Sequence, residues 1–152
     1  MKSSDDEDEA GHVTYLEKLP LAGELVATEF EQWSSELRQE FENNAHNGVV
    51  GGRLLLEDER TRVWDIRLAP GERVAAHRHV LDYFWTALTD GQSLQHTHDG
   101  TTRTVRYKAG DTRAYTFGPG EFLLHDLQNT GDDVLAFITV ELKQSANRPL
   151  PV

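Results

Sequence analysis

The chain has 152 residues, enough to bury one core and too few for two comfortable domains. Its 26 acidic and 15 basic side chains give a formal net charge of -11 with no basic cluster, which argues against a nucleic-acid or anionic-membrane surface. Cysteine is absent, removing disulfides, thiolate nucleophiles and sulfur-ligated metal sites together, and no apolar run approaches the ~20 residues that span a bilayer.

Residues 1–11 carry the run Asp5-Asp6-Glu7-Asp8-Glu9, which repels itself and reads as a disordered, solvated tail. The stretch has no apolar segment of the kind a secretory signal needs, and a cytoplasmic setting is the default expectation. An extended arm follows and ends at Leu19-Pro20. Thr28 and Glu31 have the spacing of a capping box, and Phe30, Trp33, Leu37 and Phe41 recur as one apolar stripe. Together they predict a helix from about Glu29 to Asn43, stopped by Asn43-Asn44 and Asn47-Gly48. The arm and this amphipathic helix make up residues 12–48, and the stripe is expected to dock on the domain's own sheet, with a second subunit as the alternative.

From Val49 the pattern changes to short apolar and β-branched runs divided by turn residues. Strands are expected near residues 50–56, 62–68, 73–80, 83–89, 93–97, 102–108, 113–117, 121–128 and 134–143. The dipeptides Asp90-Gly91 and Asp99-Gly100 supply hairpin turns, because glycine accepts positive φ without a Cβ penalty. The last run, Val134 to Val140, is nearly all apolar and should be central. Short strands without intervening helices require two packed antiparallel sheets or a closed barrel. Residues 144–152, with Pro149 and Pro151, read as an extended C-terminal tail.

Within one expected strand, His77 and His79 lie two residues apart after a Pro70-Gly71 turn, so their side chains share a face. Two imidazoles from one strand make half of a metal site. Arg73 is in phase with them if the strand is regular, and could hold a substrate carboxylate through a bidentate pair. His96 and His98 form a second pair, but at a hairpin tip, where they read as surface residues. Tyr83, Phe84 and Tyr115 are expected first as core and lining residues, with some lining a pocket.

The stretch Gly71, then His77-x-His79, then Gly91 resembles the first motif of the cupin superfamily, Gly-x5-His-x-His-x3–4-Glu-x6-Gly. Gly110-Asp111, Gly118-Pro119-Gly120, His125 and Asn129 resemble the second, with Gly120 and Phe122 standing where that pattern has Pro and Gly. The resemblance covers residues 49–143 and implies an all-β fold, a cupin jelly-roll (double-stranded β-helix) barrel with an N-terminal helical extension. It implies His77, His79 and His125 as ligands of a divalent transition metal such as Fe, Zn, Mn or Ni. Counting back from Gly91 puts the glutamate of the motif at Phe84, or at Tyr83 with the shorter spacing; neither is a carboxylate. Asp82 could reach as a fourth ligand only with difficulty. A site of three neutral histidines leaves the ion's charge uncompensated and favours an anionic ligand.

The wording of Arg62 to Arg73 is also similar to small single-domain bacterial cupins, some labelled as β-alanine degradation proteins. The expected function is therefore a three-histidine metal enzyme, dioxygenase-like or a lyase/isomerase, acting on a small organic acid. A non-catalytic small-molecule-binding or sensing cupin is the alternative, and a metal-free structural barrel a third. A homodimer is expected, with no nucleic-acid or membrane partner.

Overall fold

Alternation of apolar and polar residues builds ten strands and one helix over residues 19–152, the part of the chain described by the computed structural model. The acidic tail and the start of the arm expected over residues 1–18 lie outside the described residues. In order, the elements are β1 (Glu24–Ala27), α1 (Ser35–Asn43), β2 (Arg53–Glu57), β3 (Thr61–Leu68), β4 (Arg73–His79) and β5 (Asp82–Ala87). They continue with β6 (Gly91–His96), β7 (Thr102–Tyr107), β8 (Thr112–Tyr115), β9 (Leu123–Asn129) and β10 (Leu135–Leu142). All nine strands expected downstream of residue 49 form. β1, a short and largely exposed strand, adds a tenth that the sequence pattern did not reveal.

The strands make two five-stranded antiparallel sheets, ordered β1-β7-β6-β9-β4 and β2-β3-β10-β5-β8. The apolar β10 is central, as expected, with β3 on one side and β5 on the other. Inward residues from both sheets meet in one core, Leu68, Leu135 and Phe137 from one face against Val105, Tyr107 and Leu127 from the other. The Asp99-Gly100 turn forms, with Gly100 at φ +89, and a Cβ there would lie 2.7 Å from Phe30.

The helix starts later than the capping box suggested. Ser34 is the N-cap, its hydroxyl accepting from the Leu37 amide at 3.0 Å. Before it, Glu29, Phe30 and Gln32 have φ values of 56, 62 and 66, in the left-handed region. The Phe30 amide donates to the Gly100 carbonyl at 3.0 Å, and the Trp33 indole donates to the Thr102 hydroxyl at 3.2 Å. These non-local bonds outcompete the local signal. The stripe nonetheless acts as one surface: Trp33 packs 4.7 Å from Phe41, and both press with Leu37 on Ala76, Leu124 and Phe122. The helix is thus docked on the outer face of the β4–β9 pair.

Among the described residues no helix is long and apolar enough to cross a membrane.

At the end of β10 the Glu141 carboxylate is buried and accepts from the Trp64 indole at 2.7 Å. Burial pushes its pKa up to about 6 from an ordinary value of 4.5. The folded state therefore favours the protonated form. That contribution to stability is complete below pH 4.5 and is lost as pH rises through 6. E141Q should match the wild type near pH 4 in urea denaturation and exceed it by about 2 kcal/mol at pH 8. A difference independent of pH would contradict this.

Candidate metal centre

The site depends on an irregularity in β4. Val74 pairs with Leu127 and His77 with His125, so three steps along β4 face two along β9. This is a β-bulge, and its extra residue reverses the in–out phase of the strand. Val74 faces in, Ala76 faces out beneath α1, and His77 and His79 face in again. His125, opposite His77, brings the third imidazole, and the ligating nitrogens of all three lie within 4.8 Å of one another.

Each ring's protonation follows from its partners. His77 Nδ1–H donates to the Ala75 carbonyl at 2.7 Å, leaving the Nε2 lone pair free to bind. His125 Nδ1–H donates to Gln95 Oε1 at 3.0 Å, and the Gln95 amide donates in turn to the Tyr107 hydroxyl at 3.1 Å. His79 Nε2 lies 3.2 Å from His125 Nε2, and its buried Nδ1 has no hydrogen-bond partner. Burial lowers the pKa of all three, that of His79 and His125 well below the ordinary value, so they are neutral at pH 7. Neutral imidazole is the ligating form.

These residues fit a divalent transition metal. Two nitrogens each ~2.1 Å from one ion, at angles between square and tetrahedral, stand about 3.0–3.4 Å apart, the separation seen between His79 and His125. Carbonyl and amide partners behind His77 and His125 are the outer-shell contacts that orient ligating histidines.

The histidines open onto a pocket walled mainly by apolar side chains such as Ile66, Leu123, Leu127 and Phe137. Among the described residues no carboxylate lines it. Tyr83 stacks on His79 with ring centroids 3.9 Å apart and planes 9° from parallel, and Tyr115 stacks behind Tyr83. Both tyrosines line the pocket, and burial raises the pKa of Tyr115.

Phe84 does not line the pocket, which corrects the count from Gly91. In β5 the inward phase belongs to Tyr83 and Trp85, so the residue occupying the glutamate's inner place is Tyr83. Asp82 is committed elsewhere, accepting from the Phe117 amide at 2.9 Å.

Arg73 is also corrected. The bulge puts it on the outer face, where it makes a two-point pair with Glu40 at 2.9 Å and bonds Asp126 at 2.6 Å. The cation that does line the pocket is Arg103 on β7, which shares its inward phase with Val105 and Tyr107. That alternation was available in the sequence. His96 and His98 are likewise not plain surface residues: His96 bonds Asp126, and His98 stacks on Phe122 at 4.7 Å.

A two-sheet jelly roll holding three convergent imidazoles defines a small double-stranded β-helix protein with a candidate metal pocket. The fold is that of the cupin superfamily. It is similar to a cupin domain from Bordetella pertussis, at 27% identity and a TM-score of 0.53, over 60% of this chain and 90% of that one. A conserved double-stranded β-helix protein from Klebsiella pneumoniae is also similar, at 25% identity and a TM-score of 0.48, over 62% of this chain and 76% of that one. No family model and no curated protein matches the chain.

On the outer face, the backbone of the bulge is held by the helix and the turn after it. The Ala76 amide donates to Glu40 Oε2 at 3.0 Å, and its carbonyl accepts from Asn44 and Asn47 at 3.0 Å each. The Arg73 guanidinium beside Glu40 holds that carboxyl below the usual range. Asp126, fully buried, joins Arg73 to His96, so one polar network ties α1 to β4, β9 and β6. E40A strands the Ala76 amide and should cost about 1–3 kcal/mol in urea denaturation. The exposed E42A control should stay within about 0.5 kcal/mol of the wild type. Equal losses would contradict the clamp.

Proposed function

We propose that this cupin is a mononuclear three-histidine metal protein acting on a small organic acid, dioxygenase-like or a lyase/isomerase. The observation that carries the reading is the convergence of three neutral imidazoles, two buried and one half-buried, in an apolar pocket that no carboxylate of the described residues lines. His77, His79 and His125 would hold the ion. A bound divalent ion supplies Lewis-acid polarisation of an oxygen donor and, where redox-active, one-electron chemistry.

The chain's own residues have distinct tasks. Ala75 and Gln95 fix the His77 and His125 tautomers so that each presents Nε2. Tyr83 holds the His79 ring by stacking. The apolar wall limits water and strengthens electrostatic attraction inside. One observation favours the alternative, a binding or sensing cupin: among the described residues no carboxylate lines the pocket to serve as a general base.

The test is metal analysis of the purified full-length chain after loading with Fe(II), Mn(II), Ni(II) or Zn(II). One ion per chain is expected, with H77A and H125A each weakening retention at least about tenfold. Negligible metal, unchanged by either substitution, would sink the reading. Q95L keeps all three ligands but loses the partner of His125 Nδ1, and should weaken metal affinity by about 10–100-fold in a competition titration. Oxygen uptake with β-keto, β-amino and hydroxy acids then separates the enzyme from the binding protein.

A further inference from the structure

Among the described residues Arg103 is the one Lys or Arg side chain lining the pocket. It stands in register with Gln95, the residue that bonds His125, so the arginine enters two strands away from that ligand. On β6 it is Thr97 that faces His125, so at ~4.8 Å between neighbouring strands and ~3.4 Å per residue the Arg103 and His125 backbones are about 12 Å apart, leaving room for a short molecule between guanidinium and imidazoles.

The guanidinium is underused. It donates to the Thr101 hydroxyl at 3.1 Å, and that hydroxyl donates onward to Asp99 at 2.7 Å. Among the described residues Arg103 makes no ion pair, whereas Arg53, Arg62, Arg67 and Arg73 each have a carboxylate within 4.0 Å. A partly buried cation beside an apolar wall is costly without an anion. Among the described residues no acidic side chain lines this pocket. The missing counter-charge is therefore one that a ligand can bring.

We infer that Arg103 is the anion anchor of the pocket, gripping the carboxylate of a short acid whose other oxygen donors face the three histidines. Guanidinium matches carboxylate bidentately, with Thr101 holding the fork in place. The inference deepens the proposed function and rests on it for the far end of the ligand; the near end depends on Arg103 alone.

The test is calorimetric titration of the full chain, metal-free and Ni(II)-loaded, with malonate, succinate and the neutral malonamide. At least one diacid should bind the nickel form more tightly than malonamide. R103Q should weaken that binding about 10–100-fold while nickel affinity stays within about threefold. R103K should fall between, because it restores charge without the fork, and it serves if R103Q does not fold. Diacid binding within twofold of the wild type in R103Q, equal binding of malonamide, or no diacid binding at all would overturn the inference. A chain that takes up no nickel overturns the metal reading by itself. The Arg103 dependence is then read on the metal-free protein, where R103Q should abolish the weaker diacid binding.

Discussion

The site hangs on the hydrogen bonding of one backbone unit, the amide and carbonyl of Ala76. A strand with an extra residue leaves ladder groups unpaired, and a buried unpaired amide or carbonyl costs as much as a lost hydrogen bond. Here Glu40, Asn44 and Asn47 take over the role of the neighbouring strand. The bulge is thereby satisfied, and both histidines after it face the interior. The helical segment before the barrel is thus a structural part of the site. Its apolar stripe, with Trp33 and Phe41 at its centre, covers the outer surface of the two strands whose inner surface carries the ligands.

Polar organisation differs sharply between the two faces of that sheet. Outside, Glu40, Arg73, Asp126 and His96 form a polar network in which each group has a partner. Inside, one strand position away, the imidazoles are kept neutral by burial and face apolar walls. The separation keeps the acidic side chains of the described residues out of the pocket. Tyr83 completes the arrangement: a carboxylate at its place would offset the charge of an ion, whereas a stacked phenol ring only positions His79. The centre is built to leave charge for a ligand to meet.

The barrel was legible in the sequence because its signals are local. Asp99-Gly100 marks the β6–β7 hairpin, whereas Asp90-Gly91, expected to do the same, joins strands of different sheets; alternation puts His77 and His79 on one face, and both line the pocket with His125. What was missed has non-local causes. The capping box at Thr28 lost to a bond between Phe30 and Gly100, seventy residues on. Arg73 was read in phase with the histidines, and a bulge that only the partner strand reveals turned it outward. Phe84 was reached by counting motif spacing rather than by following the strand's phase, which favours Tyr83. Arg103 is different: Arg103-x-Val105-x-Tyr107 was readable as an inward face. Its role emerged only when the pocket proved to lack a carboxylate.

The central claim is that the clamped bulge in β4 aims three imidazoles, and no carboxylate, at one point. X-ray absorption fine structure of the protein loaded with a single Ni(II) per chain tests it directly. The account predicts three imidazole nitrogens at about 2.0–2.1 Å, with the remaining donors exchangeable on adding malonate. Two or fewer imidazoles, or a protein carboxylate that malonate does not displace, would contradict it.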